Sequence, residues 1–190
     1  MMKSIKENIT NKIEINKSIF ITELVKIKDK EEINKYLDSI KNKYKDATHY
    51  CYAYIIDDLK KSSDDGEPGG TAGVPIMDTL NKAQLNNILC VVIRYFGGIK
   101  LGAGGLVRAY RKSVSEALSK ATFIELIKGY EIIIEISYDK QKDLEYILKD
   151  NYNKEYLENV KYTIECDNEI KELLENNYKI INIKEKIIER

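Results

Sequence analysis

The chain is short of the residues that bend and punctuate a backbone. It has two prolines, Pro68 and Pro75, and ten glycines, nine of which lie between Gly66 and Gly105. Glycine gives up more conformational freedom on folding than any other residue. A chain that gathers it in one place needs unusual φ/ψ values or close backbone approach there. Histidine occurs once, at His49. One histidine cannot make a His-Glu-x-x-His zinc pattern, and no nucleophile elbow marks a His/Ser/Asp set. Cys51, Cys90 and Cys166 are far apart and form no C-x-x-C pair. A reduced, cytoplasmic setting is the simplest account. No apolar run approaches the roughly 20 residues that cross a bilayer, and the opening Met1-Met2-Lys3-Ser4-Ile5-Lys6-Glu7 lacks the apolar stretch of a secretory signal. No membrane partner is expected.

Arginine is also scarce. It appears four times among 31 cations, at Arg94, Arg108, Arg111 and the terminal Arg190. The three internal arginines flank the second glycine cluster. Arg offers a planar fork of donors that Lys cannot imitate. Two readings stand for that placement: a carboxylate or phosphate partner, or a local ion pair with Asp64, Asp65 or Glu67. The 31 acids balance the 31 cations, which argues against a whole-surface grip on nucleic acid but leaves room for a local patch.

Hydrophobic periodicity predicts the elements. Residues 4–26 alternate as two strands of a hairpin. Asp29 and Glu32 have capping-box spacing, and Ile33, Tyr36, Leu37, Ile40 and Tyr44 follow at helical spacing. His49 to Asp57 alternates as a strand. Its Tyr50/Tyr52/Tyr54 face reads as half-buried core rather than a stacking platform. His49 and Cys51 on the other face read as a packed histidine beside a buried thiol rather than a metal pair. Lys60 to Gly73 reads as a polar loop, and Pro75 opens a helix. Ile88-Leu89-Cys90-Val91-Val92-Ile93 is a nearly continuous apolar run, as in a buried central strand. Phe96 to Gly105 is the second loop, and Leu106 to Lys120 a helix with Leu106, Ala109, Tyr110, Val114 and Ala117 inward. A strand over 122–127 ends the first domain, expected at residues 1–128. The second, 129–190, follows Lys128-Gly129 with strand 130–138, a helix capped by Asp139, strands 153–158 and 160–166, helix 167–176 and strand 178–189. That order, βαββαβ, is ferredoxin-like.

Strand, glycine loop and helix in succession make an anion site, because free N–H groups and the helix dipole both face the loop. Lys100 and Arg108 add charge. Gly97 and Gly102 have the outer spacing of a Walker A loop, but Ala103-Gly104 stands where Lys-Ser/Thr is required. The dinucleotide pattern G-x-G-x-x-G fails at Val107. Asp64, Asp65 and Glu67 have the chemistry to hold Mg²⁺ but read first as turn formers.

Three ordered blocks resemble one known family. They are Ala47-Thr48-His49-Tyr50-Cys51-Tyr52-Ala53-Tyr54, then Ser63-Asp64-Asp65-Gly66-Glu67-Pro68-Gly69-Gly70-Thr71-Ala72-Gly73-Val74-Pro75-Ile76, then Arg94-Tyr95-Phe96-Gly97-Gly98-Ile99-Lys100-Leu101-Gly102-Ala103-Gly104-Gly105-Leu106-Val107-Arg108-Ala109-Tyr110. Together they resemble the signature of the Impact family, the YigZ-like proteins, over about residues 17–121. Tyr50 stands where the family often has Asn or His, and Arg111 where Gly is common. The resemblance implies an α+β fold: a domain like the second domain of ribosomal protein S5, then a ferredoxin-like domain. That pairing looks like the last two domains of translation elongation factor G. Eukaryotic Impact proteins regulate translation through a further N-terminal domain outside the matched blocks, so that mechanism is not carried over.

The expected function is a non-enzymatic binding protein in translation regulation, with the ribosome, RNA or a protein of translation control as partner. The candidate binding residues are Arg94, Tyr95, Gly97, Gly98, Lys100, Gly102, Gly104, Gly105 and Arg108 on the second loop, Ser63, Asp64, Asp65 and Glu67 on the first, and His49. No catalytic residue, cofactor or metal is expected. The alternative is an enzyme or small-ligand binder for a phosphorylated metabolite or nucleotide at the same loops. A third reading makes the two loops a structural brace, acids paired with arginines.

Overall fold

The structure, a computed structural model, describes residues 2–149 and 152–190. Contacts divide the chain into two units, Met1–Glu125 and Leu126–Arg190. The class is the expected α+β.

In the first unit, five strands form one sheet in the order β2-β3-β6-β4-β5. They are β2 (Ile9–Ile15), β3 (Ser18–Lys26), β4 (His49–Ile56), β5 (Leu59–Ser63) and β6 (Ile88–Tyr95). A short strand β1 (Met2–Ile5) precedes them; its Lys3 N–H donates to the Gln84 carbonyl at 3.1 Å. β6 sits between β3 and β4, antiparallel to both. Side chains alternate across a strand, and both sides of β6 are covered. Ile88, Cys90 and Val92 join Phe20, Leu24 and Ala53 against helices α2 (Gly73–Lys82) and α3 (Gly102–Leu118). Leu89, Val91 and Ile93 join Val25 and Tyr54 against α1 (Lys30–Lys43). That is why the run 88–93 is apolar without alternation. Tyr50 and Tyr52 are half-buried on the α1 side with Tyr54, so the tyrosine face is core.

α1 starts as its sequence predicts. The Asp29 carboxylate accepts from the N–H groups of Glu31 and Glu32, and Glu32 accepts in return from Lys28 N–H. Two strands were not anticipated. β1 is too short to show a period, and β5 lies inside the stretch read as a polar loop. Edge strand β5 pairs with β4 on one side only and carries Leu-Lys-Lys-Ser-Ser, so it has no apolar face to betray it.

The second unit holds strands β7 (Phe123–Ile136, which carries the chain across from the first unit), β8 (Tyr152–Tyr156), β9 (Val160–Cys166) and β10 (Ile180–Glu189), with α4 (Gln141–Leu148) and α5 (Asn168–Asn177). β10 and β9 pair with β7, and β8 with β9, all antiparallel. The order β10-β7-β9-β8 with helices after β7 and β9 is the expected ferredoxin-like arrangement. Ile132, Ile134, Val160, Tyr162 and Ile164 pack with Leu144 and Leu174. One expectation is corrected here. The strands read as 122–127 and 130–138 are a single β7, unbroken at Gly129. A Cβ there would lie 2.5 Å from Ile188 Cδ1 and 2.6 Å from the Cys166 carbonyl oxygen, so this glycine permits close neighbours rather than a turn. Asp139 lies in a single 3₁₀ turn ahead of α4 instead of capping it.

Candidate functional site

The first glycine loop runs from the end of β5 to the start of α2. Asp64 organises it. One carboxylate oxygen accepts from the N–H groups of Ala72 (2.9 Å) and Gly73 (2.8 Å), the other from Gly70 (2.9 Å). α2 has no side-chain cap of its own, so Asp64 takes that part from upstream in the chain. Burial acts to raise its carboxyl, but the three donors outweigh burial and hold it below the usual carboxylate range. Asp65 accepts from Tyr50 N–H at 2.6 Å, and its carbonyl faces His49 Nδ1 at 2.8 Å. A carbonyl only accepts, so Nδ1 carries the proton in that contact. The Ser63 hydroxyl accepts from Asp65 N–H. Gly73 is needed for proximity: a Cβ there would fall 2.8 Å from Ser63 N.

Glu67 points inward and is buried. One of its oxygens accepts from Arg94 Nη1 at 2.6 Å and from the Tyr110 hydroxyl at 2.8 Å; the other lies 3.8 Å from His49 Nε2. Cys51 Sγ lies 2.9 Å from the Asp64 carbonyl, its acceptor, and 3.2 Å from the Tyr110 hydroxyl. Burial pushes the Cys51 thiol up to about 12; the Tyr110 hydrogen bond works against this, and the charges of Glu67, Asp65 and Asp64 add to it. Burial, with Cys51 and Glu67 beside it, likewise drives the Tyr110 phenol far above its ordinary range. Such a thiol is no nucleophile at neutral pH.

Arg94 is therefore not a free cation beside the second loop. It is buried, its Nη2 is 3.4 Å from Ser18 Oγ, and its guanidinium carbon is 5.5 Å from both the Phe20 and Phe96 rings. Its Nε has no hydrogen-bond partner among the described residues. Tyr95 turns away and donates to the Lys45 carbonyl. Gly97 holds the second loop against the β2–β3 turn: a Cβ would sit 2.0 Å from the Lys17 carbonyl carbon.

The rest of the second loop is open. Lys100, Gly98, Gly102, Gly104 and Arg108 are exposed, and Gly105 half-buried. Gly98 (φ 82°) and Gly102 (φ 68°) adopt left-handed backbone. Neither Lys100 nor Arg108 has an ion-pair partner among the described residues, whereas Arg111 is held by Asp78 at 2.9 Å. α3 begins at Gly102 with no side-chain cap and no acid in its first turn. Most of the expected residues thus fall into two sets: a brace centred on buried Glu67 and Arg94, with His49, Ser63, Asp64 and Asp65 around it, and an exposed rim with Lys100 and Arg108. Tyr110 and Cys51 complete the brace, although the sequence pattern marks them only as core. A tyrosine on an apolar helix stripe needs a partner for its hydroxyl once buried, and that was the signal available for Tyr110.

Among the described residues no group of three or more His, Cys, Asp or Glu side chains is placed to hold a metal ion, and no helix is long and apolar enough to cross a membrane.

Comparison with known proteins shows the family of this chain. Residues 16–118 match the Impact N-terminal domain. The chain belongs to the Impact family. The Impact family member YvyE of Bacillus subtilis is 48% identical over 125 residues, which is 64% of this chain and 58% of that protein. The Impact family member YigZ of Escherichia coli is 38% identical over 71% of this chain and 69% of its own length. The matched stretch is thus little more than half the length of the Bacillus relative. A crystal structure described only as that of a hypothetical protein is similar over 97% of this chain and 98% of its own, at 29% identity and a TM-score of 0.72. The brace and the exposed rim both lie inside the Impact domain, whose match begins just before Lys17 and ends at Leu118.

Proposed function

We propose that the Impact domain of this chain is a binding module for RNA of the translation machinery, gripping the phosphate backbone at the loop 96–105 and the first turns of α3. One observation carries the reading: an uncapped, acid-free helix start lies between two exposed cations, Lys100 and Arg108, that have no ion-pair partner among the described residues. The first N–H groups of a helix lack intrahelical acceptors, and the helix dipole adds partial positive charge there. The zero net charge of the whole chain hides a division that favours this. The first unit has 20 basic and 16 acidic residues, net +4; the second has 11 and 15, net −4. The resemblance to Impact proteins, whose eukaryotic members regulate translation, supports the translation setting of this proposal.

The brace supports binding by holding the loop still. Glu67 and Arg94 fix the end of β6, and Gly97 fixes the loop on the β2–β3 turn, so the binding loop is carried on a rigid frame. The acids that a Mg²⁺-dependent phosphate site would use are already engaged: Asp64 by three N–H groups, Glu67 by Arg94 and Tyr110.

Ribosome co-sedimentation from about 50 to about 200 mM salt tests the proposal. The expected result is association that falls with salt and is lost in Lys100→Ala/Arg108→Ala. Salt-independent association, none, or a double variant that sediments like wild type would overturn it. Arg94 is not used in this variant, because its replacement unsettles the core.

A further inference from the structure

Beside the proposed phosphate grip lies a cavity of about 280 Å³ that the backbone-binding reading leaves unused. Its apolar wall is Ile15, Leu101 and Ala109; its polar rim is Asn16, Arg108 and Lys112. All six belong to the first unit. Asn16 (φ 47°) and Lys17 (φ 63°) form the left-handed turn between β2 and β3, and that turn is pinned by the contact with Gly97. The cavity therefore has a fixed wall on one side and the helix α3 on the other.

Size and chemistry limit its occupant. Sites that engulf a whole small ligand hold about 300–1,000 Å³, so this one takes a fragment of something larger. The wall is lined by aliphatic groups, which suits the apolar face of a base. Asn16 offers both a donor and an acceptor, which suits the edge of a base. Arg108 and Lys112 are one turn apart on α3 and supply charge at the mouth; Lys112 has only a 3.7 Å surface pair with Glu116. Phe96 and Ile99, 46% and 44% exposed, stand on the loop that ends at Leu101. An exposed aromatic ring such as Phe96 beside a cationic track is what unpaired bases stack on.

We infer that this cavity seats one unstacked base of single-stranded RNA, whose neighbouring phosphates lie on Lys100, Arg108 and the start of α3. The inference rests on the RNA reading above and narrows it from RNA to single strands or loops. A duplex keeps its bases paired and stacked and cannot deliver one to the cavity without opening.

The test is fluorescence anisotropy of labelled RNA of mixed sequence, about 10 nucleotides long, as a single strand and as the matching duplex. It uses the wild-type chain and two variants that enlarge an aliphatic lining residue without adding an aromatic ring, Ala109→Val and Leu101→Met. Thermal melting shows which variants fold. The expected result is a roughly tenfold preference for the single strand in the wild type. That preference is lost in whichever filled variant folds, while the salt dependence is unchanged because the phosphate contacts remain. A folded variant that keeps the preference, or a wild type that binds duplex equally well, overturns the base site and leaves the phosphate grip standing. If the wild type binds neither RNA, both readings fail together.

Discussion

Arg94 and Glu67 are 27 residues apart in the chain and meet at 2.6 Å inside the protein, each nearly excluded from water. This pair decides what the two glycine loops are to one another. The acidic loop closes on the cation at the end of β6, and the basic character that remains for a partner is that of Lys100 and Arg108.

Breaking the pair from one side leaves a buried charge without its counter-ion, which costs about 3–5 kcal/mol. Glu67→Gln is expected to lower stability by that order in urea unfolding. Replacing both partners, as in Glu67→Leu/Arg94→Met, is expected to recover part of the loss, because two charges then no longer need burying. A single variant as stable as the wild type would show that the pair contributes little.

Lys100→Ala and Arg108→Ala change exposed side chains without ion-pair partners among the described residues. Their effect on stability is expected to stay within about 0.5 kcal/mol. The contrast with Glu67 separates brace from rim by melting curves alone.

Gly97→Ala places a methyl 2.0 Å from the Lys17 carbonyl carbon. The neighbour is backbone on a tight turn and cannot yield cheaply. A loss of about 1–3 kcal/mol is expected. Gly69→Ala, where no atom lies within 4 Å of the added Cβ, is expected to be tolerated. Thermal unfolding of the two variants side by side checks this.

Asp64 is held below the ordinary carboxylate range in the folded chain. A depressed folded value means that its stabilisation is complete above the unfolded carboxyl value of about 3.9 and disappears as pH falls through the folded value. Asp64→Ala is therefore expected to be less stable than wild type at neutral pH, and the gap is expected to shrink below about pH 4. Urea midpoints of both proteins across acid pH measure it.

Cys51, Cys90 and Cys166 are all buried, and burial raises all three thiols; Cys51 reaches about 12 and Cys166 about 11. Native protein at pH 8 is expected to react with a thiol reagent only at the rate of unfolding, and denatured protein at once. Rapid labelling of Cys51 in the native state would mean that the brace opens.

Much of the fold was legible because it follows from local rules. The apolar run 88–93 announced a strand covered on both faces. Asp29 and Glu32 announced a helix start, and the βαββαβ order came from alternation and helical spacing. What was missed had no local signal. β5 is an edge strand without an apolar face. Lys128-Gly129 reads as a boundary because the composition changes after it, with no further Gly or Pro, whereas Gly129 makes room for Ile188 and the Cys166 carbonyl within one strand.

At the glycine loops the sequence by itself determined that backbone freedom was needed, that scarce arginines stood beside it, and that the pattern resembled the Impact family. Those are properties of residue type and spacing. Only the tertiary structure decided that Arg94 is spent on Glu67 while Arg108 is not. Arg94 sits on central β6, where burial enforces pairing of any charge, and Arg108 on the outer side of α3, where water replaces a partner. Two arginines of equal chemistry differ because one is folded into a place where its charge cannot stand alone.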